Sequence, residues 1–198
     1  YTTNTLDAPR NAFVNIRGQI VCTFDQMTIT LEKVLVVIEK QYVGRLSAHL
    51  EPYLQLAGTV IETAPEFHLY FDLDDQHEPQ RGEIFVIQKK GKLIGTPQVL
   101  TSNVSESEFT LFRLKNQLPI QGIDFDEELL LNVANKEFVS YTKGCYLGQE
   151  IIARVHHRSK PPKKLIVKPL EQCQPAEAAR MTSKCVDPET GKMVGFIL

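Results

Sequence analysis

Lys143-Gly-Cys-Tyr-Leu-Gly-Gln-Glu150 is the stretch that decides how the rest of the sequence is read. Ahead of it, Glu137 to Tyr141 has the look of a strand. Behind it, Ile151, Ile152 and Val155 recur on one helical face, and Glu150 stands four residues before Arg154. The expected local structure is strand, glycine loop, helix. Gly144 and Gly148 permit backbone conformations that a side chain forbids, and they let a ligand come close. The first amides of a helix opening after Gly148 lack intrahelical partners and carry partial positive charge. Cys145 precedes that helix and sits two residues from Lys143, and both features favour thiolate over thiol. Tyr146 offers a flat ring and a hydroxyl, while Gln149 and Glu150 offer polar groups at the helix start. The competing account is packing, since an isolated cysteine commonly fills a core as a small hydrophobe. The residues alone leave these two accounts level.

Working towards the N-terminus, Ser105-x-x-Glu108 is a capping box opening a helix through Phe109, Leu111, Phe112 and Leu114. Leu118 to Phe125 reads as an ordered loop, and the charged stretch from Asp72 to Arg81 as an exposed one. Strands are expected at Thr59–Ile61, His68–Phe71 and Ile84–Gln88, with Lys90-Gly91-Lys92 turning into Leu93-Ile94. Tyr42, Leu46, His49, Leu50, Tyr53 and Leu54 mark a helix from Gln41 to Leu56, stopped by Gly58 and kinked or split at Pro52. Leu35–Ile38 is a strand. Ala12–Arg17 and Gln19–Phe24 form a hairpin about Gly18. Towards the C-terminus, Ser159 to Lys164 reads as a Pro- and Lys-rich linker, followed by strand-like segments at Leu165–Val167 and Met181–Leu198.

The 198 residues carry 42% hydrophobic and 23% charged side chains, the balance of an ordinary globular chain able to bury a core. A net charge of −2 supplies no global attraction for nucleic acid or an anionic membrane, so no direct nucleic-acid partner is expected. No apolar run is long enough to span a bilayer. Cys22, Cys145, Cys173 and Cys185 show neither CxxC pairing nor zinc spacing, which fits free thiols in a reducing compartment. The opening at Tyr1 and the apolar ending Gly195-Phe-Ile-Leu198 suggest a fragment. His156-His157 reads as a surface pair rather than a metal site, and no metal is expected. The basic run from Arg154 to Lys164 is by default a solvated linker. Phe109 and Phe112 read as core.

Lys143-Gly-Cys-Tyr-Leu-Gly-Gln-Glu150, followed by Ala153-Arg154-x-His156-His157, resembles the signature of the YgfZ family. These are folate-binding proteins related in fold to the aminomethyltransferase (T-protein) of the glycine cleavage system, implicated in maturing or maintaining iron–sulfur enzymes. Bacterial members affect tRNA modification through such enzymes. Weaker similarity runs through Thr3-Asn4, the Asn15-x-x-Gly18 hairpin, Leu35–Ile38, the helix carrying His49-Leu50, and Met181–Gly195. Aminomethyltransferases carry a pair of aspartates after the hairpin. Cys22 and Thr23 stand there instead, and neither can act as an ionised carboxylate.

The resemblance implies an α+β fold of mainly antiparallel sheets with packed helices. Residues 1–30 with 109–158 would form a discontinuous folate-binding domain, 31–108 an inserted second domain, and 159–198 a linker and the start of a C-terminal β barrel. It implies tetrahydrofolate or a derivative as cofactor, with the pterin in a central cavity. Cys145 would be the functional thiol, aided by Lys143, and Gly144, Tyr146, Gly148, Gln149, Glu150 and Arg154 would contact the folate. The implied partners are iron–sulfur client or assembly proteins. The implied function is accessory, without free-standing turnover, in the cytoplasm or in the mitochondrial matrix of a eukaryote. Two rivals stand beside it. One is a folate-dependent one-carbon transferase, disfavoured by the missing aspartates. The other is a thiol hydrolase or acyl transferase, which needs a histidine within reach of Cys145.

Overall fold

Buried apolar runs, Ala12-Phe13-Val14 and Ile20-Val21-Cys22, and a left-handed glycine build the first hairpin. In the computed structural model, which describes residues 2–30, 32–133, 137–158 and 160–198, β1 (Arg10–Val14) turns at Gly18, φ +72°, into β2 (Ile20–Thr28). The chain divides into two compact units. The first comprises Tyr1–Phe13, Val21–Thr101 and Lys136–Tyr146, and the second Val14–Ile20, Ser102–Asn135 and Leu147–Leu198.

In the first unit β2 lies between β1 and the antiparallel β3 (Val34–Val37). Phe13, Val21, Cys22 and Phe24 from this sheet pack with Tyr42, Leu46 and Leu50. The latter three are spaced by four, one turn apart along a short 3₁₀ turn and α1 (Val43–Ala57). Each such side chain contributes about 1.5–3 kcal/mol on burial. Gly58, φ +63°, closes α1 by returning its N–H to the Leu54 carbonyl. Pro52 lies inside α1, yet the helix continues as one element rather than splitting there. A second antiparallel sheet takes the order β4 (His68–Asp72), β6 (Lys92–Thr96), β5 (Ile84–Ile87).

In the second unit, Ser105 and Glu108 form the expected reciprocal cap of α2 (Glu106–Asn116). Two short helices went unforeseen: α3 (Leu130–Val133), and α5 (Pro175–Arg180) with proline in its first turn. Between them α4 (Gln149–Arg158) follows the motif. The C-terminal sheet has β9 (Met193–Ile197) between β7 (Ile166–Pro169) and β8 (Thr182–Val186), all antiparallel neighbours. Arg113 of α2 and Asp124 form a buried ion pair at 2.7 Å. The molecule is thus α+β with antiparallel sheets.

Two expected strands are absent. Thr59–Ile61 is irregular, with Val60 and Ile61 exposed, and among the described residues no strand pairs with it to bury them. Glu137–Tyr141 is also irregular. Its carbonyls are taken by side chains: Asn4 Nδ2 donates to Glu137 O and Thr3 Oγ1 to Phe138 O, both at 2.6 Å. Ser159, in the expected linker, lies outside the described residues.

Candidate functional site

The boundary between the two units falls inside the motif, after Tyr146. In the first unit, the segment before Cys145 is held by residues 3 and 4 instead of by a strand. Besides the two side-chain bonds, Ser140 N donates to Thr3 O at 3.0 Å. Buried Asn11 fixes that N-terminal turn, its Oδ1 accepting from Asn4 N at 2.7 Å. Ser140 Oγ accepts from Lys143 N at 3.2 Å, curling the chain into the loop.

Lys143 turns its ammonium onto the N-terminal backbone. Nζ donates to Thr2 O at 2.8 Å, Asn4 O at 3.0 Å and Thr2 Oγ1 at 3.3 Å, and lies 5.8 Å from the centre of the Tyr146 ring. Partial burial pulls its pKa below the usual lysine value. Tyr146 is buried, and burial, with Tyr141 adding to it, pushes its phenol up to about 12. Cys145 is exposed, whereas Cys22 is fully buried and Cys173 and Cys185 are half-buried. A side chain built on Gly144 would meet nothing within 4 Å, so that backbone stands open.

In the second unit, Gly148 has φ +78°. A Cβ there would run into the Asn15 carbonyl oxygen and come within 3.1 Å of Gly18 N. Gly148 therefore fits the motif against the hairpin turn. A Cβ on Gly18 would in turn lie 3.2 Å from Leu129 and 3.4 Å from Ile151 and Ile152. Ile152 is fully buried, which seats α4 on this turn. Glu150 and Arg154 pair with each other at 2.8 Å, their side chains 84% and 57% exposed. The structure thus joins Lys143 to Tyr146, Glu150 to Arg154, and Gly148 to the hairpin. Sequence reasoning had missed the backbone partners Thr2 and Asn4, whose only signal was the resemblance through Thr3-Asn4.

Cys22, at the position where the resemblance implies an aspartate, is fully buried. Burial pushes the Cys22 thiol up to about 12. Asp25 lies three residues on, 3.3 Å from Arg10 Nε, and accepts from Gln88 Nε2 at 2.8 Å. Burial raises its pKa, Arg10 opposes this and Glu137 adds to it. His156 and His157 are exposed, their rings 4.8 Å apart. Among the described residues no cluster of three or more His, Cys, Asp or Glu could hold a metal. No helix of those residues is long and apolar enough to cross a membrane. A groove of about 440 Å³ in the first unit is lined by Leu6, Met27 and Phe85 among others, and by no motif residue.

No family model matches the chain. It is similar to the iron–sulfur cluster assembly factor IBA57, mitochondrial, of Mus musculus: 24% identical over 214 residues, covering 92% of this chain and 59% of that protein. It is also 26% identical over 150 residues to the iron–sulfur cluster assembly factor IBA57 homolog, mitochondrial, of Mycosarcoma maydis, covering 67% of this chain and 37% of that protein. The chain therefore spans less than two thirds of the length of either relative.

Proposed function

We propose that this chain is a YgfZ-type accessory factor for iron–sulfur enzymes, acting through Cys145 and binding a reduced folate. The observation that carries the reading is the exposed Cys145 on a loop held by dedicated hydrogen bonds, in a chain similar along 92% of its length to a protein named as an iron–sulfur cluster assembly factor. The clients or assembly partners would be iron–sulfur proteins, tRNA-modifying ones among them. Both relatives are named as mitochondrial, which supports the matrix as location in a eukaryote.

The donor set suits a folate chemically. The Gln149 amide and Glu150 carboxylate match the donor and acceptor edge of a pterin, and Arg154 matches a glutamate carboxylate. The open backbone at Gly144 admits close approach, whereas the Tyr146 ring is buried beside the Lys143 ammonium. Gly148 has a second reason for its identity in the hairpin contact. Residues 1–30 with 109–158 would be the folate domain, 31–108 the inserted domain, and 159–198 the beginning of a T-protein-like barrel. A bound folate supplies one-carbon or redox chemistry. The chain's own residues bind and orient it, and with Cys22 and Thr23 at the aspartate positions the chain has no free-standing transferase turnover.

The test is complementation of cells lacking the protein, read as iron–sulfur enzyme activity, alongside titration with tetrahydrofolate. Cys145→Ser should fail while Cys22→Ser restores activity. Full complementation by Cys145→Ser would remove the thiol from the function. Absence of tetrahydrofolate binding would remove the folate.

A further inference from the structure

We infer that Lys143 is a positioning residue: its ammonium clasps the Thr2–Asn4 backbone and thereby fixes where the Cys145 loop sits. An ammonium has three protons. Here they meet three acceptors on Thr2 and Asn4: Thr2 O, Asn4 O and Thr2 Oγ1. Thr2 Oγ1 can accept because its own proton goes to Asn4 O at 3.0 Å. All three are neutral, and among the described residues Lys143 takes part in no ion pair. A half-buried cation whose hydrogen bonds all go to carbonyl dipoles and a hydroxyl, with the Tyr146 ring 5.8 Å away as its other contact, has its hydrogen-bonding capacity spent on backbone geometry.

The clasp completes a set of rungs. Asn4 reaches Glu137 O, Thr3 reaches Phe138 O, Ser140 N reaches Thr3 O, and Lys143 returns to Thr2 and Asn4. These bonds do for residues 137–143 what a ladder does for a strand. Lys143 is the last of them before Cys145, two residues away. The residue expected to act on the thiol by charge acts on its position.

The experiment compares Lys143→Met and Lys143→Arg with the unaltered chain. Three readouts are hydrogen exchange by peptide, alkylation of Cys145 by iodoacetamide, and complementation. Hydrogen bonds to a charged group are strong enough that losing them should raise exchange in residues 2–5 and 137–146 together, by about tenfold or more. Exchange across β2 and α1 should stay unchanged. Alkylation of Cys145, already exposed, should not slow. Lys143→Arg, which keeps charge and donors, should restore protection and complementation.

Unchanged exchange with slowed alkylation would overturn the inference, since Lys143 would then act on the thiol. Raised exchange throughout both units would overturn it too, as loss of global stability. The exchange and alkylation arms do not depend on the proposed iron–sulfur role, whereas the complementation arm rests on it. Full complementation by Cys145→Ser would sink that role and leave the clasp standing.

Discussion

Arg113→Met should cost this protein about 3 kcal/mol. The Arg113 and Asp124 side chains are 5% and 0% exposed, so removing the cation strands a carboxylate with no access to water. Breaking a buried pair from one side typically costs about 3–5 kcal/mol. Asp124 keeps three other donors: Ile120 N at 2.9 Å, Thr182 Oγ1 at 2.9 Å and Ser183 Oγ at 2.6 Å. They hold the expected loss near the lower bound. Ser183 Oγ also loses the Arg113 Nη2 bond at 2.6 Å, and Leu118 O loses a longer one, which stops the loss from falling much below it. In a chain of this size, about 3 kcal/mol should lower the melting temperature by roughly 6–12 °C. Urea denaturation followed by circular dichroism, on Arg113→Met, Asp124→Asn and the double variant, would measure it. The cycle should return a coupling of about 1–3 kcal/mol. A loss below about 1 kcal/mol with additive single variants would refute the argument.

Three further outcomes follow from these residues. Gly148→Ala forces a side chain into a left-handed conformation and against the Asn15 carbonyl, so it should cost about 2 kcal/mol or more, while Gly144→Ala, with open space around it, should cost less than about 1 kcal/mol in the same denaturation assay. Iodoacetamide mapping by mass spectrometry should find Cys145 modified first and Cys22 last. The unfolded Cys22 thiol ionises at about 8.5 while the folded one keeps its proton to about 12, so its stabilisation is full below the first value and is lost as pH rises towards the second. Cys22→Ala should flatten that alkaline decline in the urea midpoint, and an unchanged slope would contradict the assignment.

Local signals were legible wherever chemistry forces a conformation. The Gly18 turn, the Gly58 stop, the Ser105–Glu108 box and the helix after Gly148 all stand where the sequence indicated them, because each depends on neighbours in the chain. Tertiary pairing was not legible. Glu137–Tyr141 has strand composition, but side chains of Thr3 and Asn4 occupy its carbonyls, and no local pattern announces partners so far away. Thr59–Ile61 has the β-branched residues but, among the described residues, no neighbouring strand. The four-residue helix α3 and the six-residue α5 are too short for periodicity to reveal them. Within the motif, Cys145 is exposed, and the direction of Lys143 depended on a backbone that only folding brings to it.

The bond from Thr3 to Phe138 spans 135 residues. During synthesis the first turn leaves the ribosome long before its partner exists. At about 5–20 residues per second, the wait is roughly 7–27 s. For that interval Thr3, Asn4 and the hairpin beside them must remain soluble with their rungs unmade, while later segments have time to pair with them wrongly. Closing so long a loop is also slow once the partner has emerged. The nascent chain therefore cannot assemble its motif until Phe138 and the residues after it have been made, and any helper that guards the early hairpin would act before Cys145 has been translated.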